Sequence, residues 1–281
     1  MTYFLIADSG STKTDWALIT KQNVFLRFES KGINPYFLNE KQIEHILQKE
    51  VLPYLKKYLP LLQAVYFYGA GCSNKENTLK LKHSIHQILK TDEIHIAHDM
   101  LGAARATCQH NKGIVGILGT GSNACVYGGQ SIIQTAVSYG YLFGDYGSGA
   151  HIGKTFAQHY CDNTLPKELK TTFEAAGYHP EKILEIYKTP LPSKFLAALF
   201  PFIIRHKAHP FVQTLIEYSL QKYFEIQVMP IIHEKYTMHL VGSVAYILQE
   251  DLKNIAQNYK LEIKTIVKSP MEGLIQFHQS K

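Results

Sequence analysis

Arginine is scarce. Arg27, Arg105 and Arg205 are the only three in 281 residues, so lysine carries almost all of the formal net charge of +6. Those lysines are scattered (Lys41, Lys56, Lys57, Lys80, Lys82, Lys167, Lys170), with no basic arm and no aromatic-spaced stripe, which argues against nucleic acid as a partner. Cysteine is sparse too. Cys72, Cys108, Cys125 and Cys161 stand far apart and form no Cys-x-x-Cys pair, against both a structural zinc site and a disulfide scaffold. No uninterrupted apolar run reaches the roughly 20 residues of a membrane span. The opening MTYFLIADSG has an apolar run broken by Asp8, without a basic leader or cleavage site. It reads as a first strand and places the protein in the cytoplasm. His206-x-x-His209 has no third ligand nearby in sequence and reads as a surface pair; Trp16, the one tryptophan, reads as core.

What the chain does have is a normal globular balance, 46% apolar and 19% charged, and enough length for two domains. The first third alternates strands and helices. Strands are predicted at Tyr3–Ala7, Asp15–Thr20, Val24–Glu29, Ala64–Tyr68 and 94–97. A helix is predicted over 39–59, bent at Pro53, and another over 75–90. The second half restarts the pattern with strands at Gly113–Leu118, Ala124–Tyr127 and Ser131–Ser138, then turns mostly helical from about 150 to 235. Strands at Met238–Val241 and Glu262–Val267 flank a helix at 243–258, and 271–279 is a closing helix. The class is α/β with two related halves.

Five strings carry chemistry. Asp8-Ser9-Gly10-Ser11-Thr12-Lys13-Thr14-Asp15 lies between the first two strands. Its small residues admit close backbone approach, its N–H groups, hydroxyls and Lys13 can bind a phosphate, and Asp8 is placed to hold Mg²⁺, directly or through water. An ordinary Gly/Ser hairpin reads the same way, and the Walker pattern is absent. Gly119-Thr120-Gly121-Ser122-Asn123 fills the corresponding turn of the second half, where Asn123 offers an amide to ligand hydroxyls. Asp99 follows a strand and opens a small-residue helix, where it is either a helix cap or a carboxylate able to accept a hydroxyl proton. In Gly144-Asp145-Tyr146-Gly147-Ser148-Gly149, Asp145 can bond sugar hydroxyls and Tyr139 or Tyr141 can wall a pyranose ring. Gly242-Ser243-Val244-Ala245 is a strand-to-helix turn open enough for adenine and ribose.

In this order, and over nearly the whole chain, the strings resemble the BadF/BadG/BcrA/BcrD-type ATPases and N-acetylglucosamine kinases of the actin/hexokinase/Hsp70 superfamily. The resemblance implies two ribonuclease H-like (actin-like ATPase) domains with mixed sheets and the nucleotide in the cleft between them. They would span 1–110 and 111–269, with a closing helix at 270–281 packing back on the first. It implies a first phosphate loop with Gly10, Ser11, Thr12 and Lys13, a second with Gly119, Thr120 and Gly121, and an adenosine loop with Gly242 and Ser243. Pro270-Met-Glu-Gly-Leu resembles the family's closing helix. Asp99 matches the catalytic base and Asp8 would serve the metal. Asn34, in Gly32-Ile33-Asn34-Pro35, matches a sugar contact, and Ser122, Asn123, Tyr139 and Asp145 complete the acceptor site. Ser243 departs from the second glycine common in the adenosine loop, and the chain is short for the family.

The expected activity is therefore ATP- and Mg²⁺-dependent phosphorylation of an amino sugar, N-acetylglucosamine first, at the C6 hydroxyl. The partner is a small molecule, with no nucleic acid or membrane, and the resemblance admits a homodimer. Two rivals share the fold: an ATPase activator of a 2-hydroxyacyl-CoA dehydratase, and a non-enzymatic sugar sensor. The first needs cysteines near the loops for an iron–sulfur cluster, and neither Cys125 nor Cys161 stands in such a context.

Overall fold

The computed structural model describes residues 2–10, 12–234 and 236–280. Chain contacts divide it into a first unit, Met1–Asn111, Tyr127–Ile132 and Ser269–Lys281, and a second, Lys112–Val126 and Ile133–Lys268.

In the first unit, alternating runs of β-branched and aromatic residues form β1 (Tyr3–Ser9), β2 (Lys13–Ile19), β3 (Val24–Lys31), β4 (Leu62–Gly69) and β5 (Glu93–His98). They hydrogen-bond in the order β3-β2-β1-β4-β5. β1–β2 and β2–β3 are antiparallel hairpins, whereas β4 lies parallel to both β1 and β5. The two-residue period sorts the side chains. Leu5, Ala7, Trp16, Leu18 and Phe28 enter one core with Ile43, Leu47, Leu55, Leu81 and Ile85. Ile6, Ala17, Ile19 and Tyr68 enter another with Met271, Leu274 and Ile275 of the closing helix. Trp16 is buried as expected, its indole N–H donating to Ser30 Oγ at 2.9 Å.

The helix predicted over 39–59 is a composite. α1 (Glu40–Ile46) passes through a π-helical turn at Leu47–Val51 into α2 (Leu52–Leu55). Pro53 supplies the cause, since it has no N–H for the α-helical ladder and the turn widens just before it. α3 (Lys75–Leu89) is capped by Asn74, whose side chain accepts from Asn77 N–H. α4 (Asp99–Cys108) uses small residues to approach its neighbours. A Cβ on Gly102 would stand 2.8 Å from Tyr68 Cβ, and one on Gly273 of the closing helix would overlap the Ala106 carbonyl.

The second sheet consists of β6 (Lys112–Leu118), β7 (Ser122–Gly128), β8 (Ile132–Thr135), β9 (Met238–Val241) and β10 (Ile263–Val267), in the order β10-β9-β6-β7-β8. β9 is parallel to both β6 and β10. Between β8 and β9 come α5 (Gly140–Phe143), α6 (Gly149–Cys161), α7 (Lys167–Ala175), α8 (Pro180–Leu184), α9 (Pro192–Ala197), α10 (Phe200–Arg205) and α11 (Pro210–Lys222). Four prolines of this stretch start helices: α8 to α11 each carry one in the first two positions, where the missing N–H has no intrahelical partner to lose. The single helix expected at 243–258 breaks at Leu248 into α12 (Ser243–Ile247) and α13 (Gln249–Asn258). α14 (Met271–Gln279) closes the chain. The architecture is α/β with two five-stranded sheets, as the resemblance implies. Among the described residues no helix is long and apolar enough to cross a membrane.

Candidate active site

In the first unit the site grows from the β1–β2 hairpin. Gly10 N–H donates to Lys13 O at 3.0 Å and closes the turn. Ser9 and Thr14, flanking it, are buried. Ser9 Oγ donates to Ile33 O and accepts from Ile33 N–H, both at 3.0 Å, while Thr14 Oγ1 donates to Lys31 O at 3.2 Å. These hydroxyls fasten Gly32-Ile33-Asn34 alongside the turn. Asn34 Oδ1 then accepts from Tyr36 N–H at 3.0 Å, and its Nδ2 makes no hydrogen bond among the described residues. Gly71, at φ +80°, fits against that amide, and a Cβ there would overlap Asn34 Oδ1. Ala70 N–H donates to Ser9 O at 3.0 Å and completes the junction.

Register places three carboxylates in a row. Asp8 pairs with Asp15, and Asp15 with Glu29, so all three project from one face of the sheet. Burial pushes the Asp8 carboxyl up to about 7, reinforced by the charges of Asp99 and Asp15 and opposed by Lys13. Asp99 thus belongs to the same cluster, from the C-terminal end of β5. This edge, where parallel strands end, is where open α/β sheets bind ligands.

Lys13 is engaged within the sheet: its ammonium bridges Asp15 Oδ1 at 2.9 Å and Glu29 Oε1 at 2.6 Å. The cause is the β2 alternation, which puts Lys13 and Asp15 on one face, with Glu29 opposite Asp15 on β3. Thr12 is exposed and its carbonyl accepts from Gly32 N–H at 3.1 Å; Ser11 lies outside the described residues.

Asp99 is the first residue of α4, and the cap is His98. Asp99 Oδ1 lies 2.7 Å from His98 Nδ1 and accepts from Met100 N–H at 2.8 Å. Met100 N also lies 3.2 Å from His98 Nδ1, but one ring nitrogen cannot accept from Met100 and donate to Asp99 at once. The shorter contact is an ion pair when the ring is protonated, and in that state Nδ1 carries the proton and Met100 N–H is left to Asp99 Oδ1. The hydrogen bond to Asp99 raises the His98 pKa, against the effect of burial.

In the second unit two hydrogen bonds anchor the Gly119–Gly121 turn to the start of α6. Gly149 N–H donates to Gly119 O at 2.9 Å and Ala150 N–H to Thr120 O at 3.1 Å, while Ser148 Oγ accepts from His151 N–H at 3.1 Å. The amides at the start of α6 therefore hold the turn itself. Gly242, at φ +127°, lies against the Leu118–Gly119 peptide and leaves no room for a Cβ. Gly121 faces Asp145, whose Oδ2 would stand 2.9 Å from a Cβ, whereas a Cβ on Gly119 would meet nothing within 4 Å. Gly119 is the open side of the turn.

Asp145 is buried in the left-handed region at φ +53°. Burial raises its pKa, opposed by a hydrogen bond from the Ser122 backbone and by Lys154. Ser148, not Asp145, caps α6. Ser122 was expected on the acceptor, but its hydroxyl is internal, 2.6 Å from Tyr146 O and 2.7 Å from Gln227 Oε1. Asn123 Oδ1 accepts from Ala124 N–H at 2.8 Å. Tyr139 is 65% exposed beside Gly144, and Ser243 is exposed at the start of α12. Among the described residues, then, Asp8, Gly10, Asn34 and Asp99 gather in one unit, and Gly119, Thr120, Gly121, Asp145 and Gly242 in the other. His98 and Gly71 were missed. The signal for Gly71 is the second glycine of Gly69-Ala70-Gly71; His98 has only its adjacency to Asp99.

No protein-family model matches the chain, and no curated protein matches its sequence. Among solved structures it is similar to a candidate N-acetylglucosamine kinase from Porphyromonas gingivalis, at 37% identity over 99% of both chains with a TM-score of 0.94. It is also similar to a candidate N-acetylglucosamine kinase from Chromobacterium violaceum, at 18% identity over 99% of both chains and a TM-score of 0.79. A ROK-family glucokinase from Streptomyces griseus, solved with glucose and AMPPNP, shares the fold at 13% identity and a TM-score of 0.61, over 98% of this chain and 97% of its own.

Proposed function

Because the chain belongs to the N-acetylglucosamine kinase family of actin-like ATPases, we propose that it transfers the γ-phosphate of ATP to the C6 hydroxyl of an amino sugar, with N-acetylglucosamine as the first candidate. One observation carries the reading: Asp8, Asn34 and Asp99 converge beside the C-terminal ends of β1, β4 and β5.

The roles follow from chemistry. Asn34 offers its Nδ2 donor to a sugar oxygen, and Asp145 a carboxylate to sugar hydroxyls. Asp99 accepts the hydroxyl proton as that oxygen bonds to phosphorus and the bond to the ADP leaving group breaks. The phosphates are assigned to Gly10, Thr12, Gly119, Thr120 and Gly121, and adenosine to Gly242 and Ser243. The open side of Gly119 and the nearly open side of Gly10, where a Cβ would meet only Lys13 O at 3.8 Å, fit such close approach. The donors also fit Mg²⁺, a hard cation that takes oxygen ligands. Asp8, directly or through water, would hold it, and it would supply neutralisation of phosphate charge.

The test is ADP release measured over N-acetylglucosamine, glucosamine and N-acetylmuramic acid, with the phosphorylated position read by NMR. Sugar-dependent ADP release with phosphate on O6 is expected; release no faster than in sugar-free controls sinks the proposal. Gly71→Ala probes the acceptor side. Because the added methyl displaces the Asn34 amide, the acceptor KM should rise by about tenfold or more while the ATP KM stays nearly constant. An unchanged acceptor KM in steady-state kinetics would remove Asn34 from the sugar site.

A further inference from the structure

Asp99 does not present two equivalent oxygens. Oδ1 accepts from Met100 N–H at 2.8 Å and lies 2.7 Å from His98 Nδ1, an ion pair when the ring is protonated. Oδ2 makes no hydrogen bond among the described residues. A carboxylate tethered through one oxygen cannot rotate freely about its Cβ–Cγ bond, so the other oxygen has a fixed direction. Backbone alone would fix it poorly, because Met100 N–H is also within reach of the His98 ring nitrogen at 3.2 Å. The imidazole decides which acceptor Met100 takes.

We propose that His98 is a positioning residue for Asp99: by donating from Nδ1 to Oδ1, it commits Oδ2 to the acceptor hydroxyl. The inference rests on the reading of Asp99 as the base. Burial agrees with it. The His98 and Asp99 side chains are 34% and 28% exposed, so the pair is partly screened from water that would otherwise compete for Oδ1. The raised pKa of His98, caused first by its hydrogen bond to Asp99, fits the same arrangement. A simple cap would act differently. It would need only an acceptor at Nδ1, and its loss would lower stability and leave turnover alone.

The experiment compares His98→Ala with His98→Asn, whose amide nitrogen occupies the place of Nδ1 and keeps one donor. In the full chain, with N-acetylglucosamine and ATP, His98→Ala should lower kcat by about 10- to 100-fold with the ATP KM almost unchanged. His98→Asn should recover most of that loss. In an Asp99→Asn background, adding His98→Ala should change turnover by less than about twofold, since the two residues act as one unit. Equal turnover in the Ala and Asn variants overturns the inference, as does a full extra loss in the Asp99→Asn background. An inactive Asp99→Asn enzyme beside an unimpaired His98→Ala enzyme overturns the positioning role alone. Full turnover in Asp99→Asn overturns the base itself, and the inference with it.

Discussion

Asp99→Asn is expected to lower kcat by about 10³-fold, within the range that positioned general bases contribute, while nucleotide affinity stays within about threefold. The asymmetry follows from where the residue sits. Asp99 opens α4 at the end of β5, and its charge is one of the two carboxylate charges that raise the Asp8 pKa. Removing it takes away a proton acceptor but adds no steric demand, and it relieves repulsion in the Asp8 cluster. Nucleotide binding therefore has no reason to weaken. The asparagine amide keeps the size of the carboxylate and can still accept from Met100 N–H, so α4 keeps its first turn. Isothermal titration with ATP and steady-state turnover check the two halves separately. Unchanged turnover removes Asp99 from catalysis, and a parallel collapse of ATP binding makes its role structural.

Gly242→Ala should be more damaging to the molecule as a whole. At φ +127° an L side chain is strained before any contact is counted, at a cost of about 1–3 kcal/mol. The methyl group would also overlap the Leu118 carbonyl oxygen and stand 2.7 Å from its carbon and 3.3 Å from Gly119 N. These are backbone atoms, so no rotamer change relieves the clash. Either β9 or the end of β6 must move, and both lie in the centre of the sheet. A loss of about 3 kcal/mol or more is expected, with the overpacking term added to the strain. Ser243→Ala, one residue on and exposed, is the control and should change stability by less than about 1 kcal/mol. Calorimetric unfolding of the two variants decides the matter. A Gly242→Ala protein as stable as wild type would mean that β9 does not abut the Leu118–Gly119 turn.

Most of the architecture was readable because period and punctuation agree. The β1, β4 and β9 runs, the glycine turns after β1 and β6, and the Asn-capped α3 are local signals, and local chemistry decides them. What escaped depends on partners distant in sequence. The ion pairs of Lys13 depend on β3 bringing Glu29 opposite Asp15, and the internal contact of the Ser122 hydroxyl on Gln227, more than a hundred residues on. Nothing local in Gly144-Asp145-Tyr146-Gly147-Ser148 tells that Ser148 caps α6 while Asp145 turns into the left-handed region against Gly121. The stretch from 150 to 235 was legible only as helical, because its breaks follow from packing around Phe156, Phe173 and Phe202 as much as from its prolines.

The closing helix has a consequence for synthesis. Its Met271, Leu274 and Ile275 cover Ile6, Ala17 and Ile19, residues made some 250 positions earlier. As the polypeptide emerges from the ribosome, the stretch Lys112–Lys268 is complete while one sheet face of the opening segment still lacks its cover. A stop codon ahead of Met271 would leave that apolar surface bare, and such a product should be a chaperone client or an aggregate even though every proposed site residue had been translated.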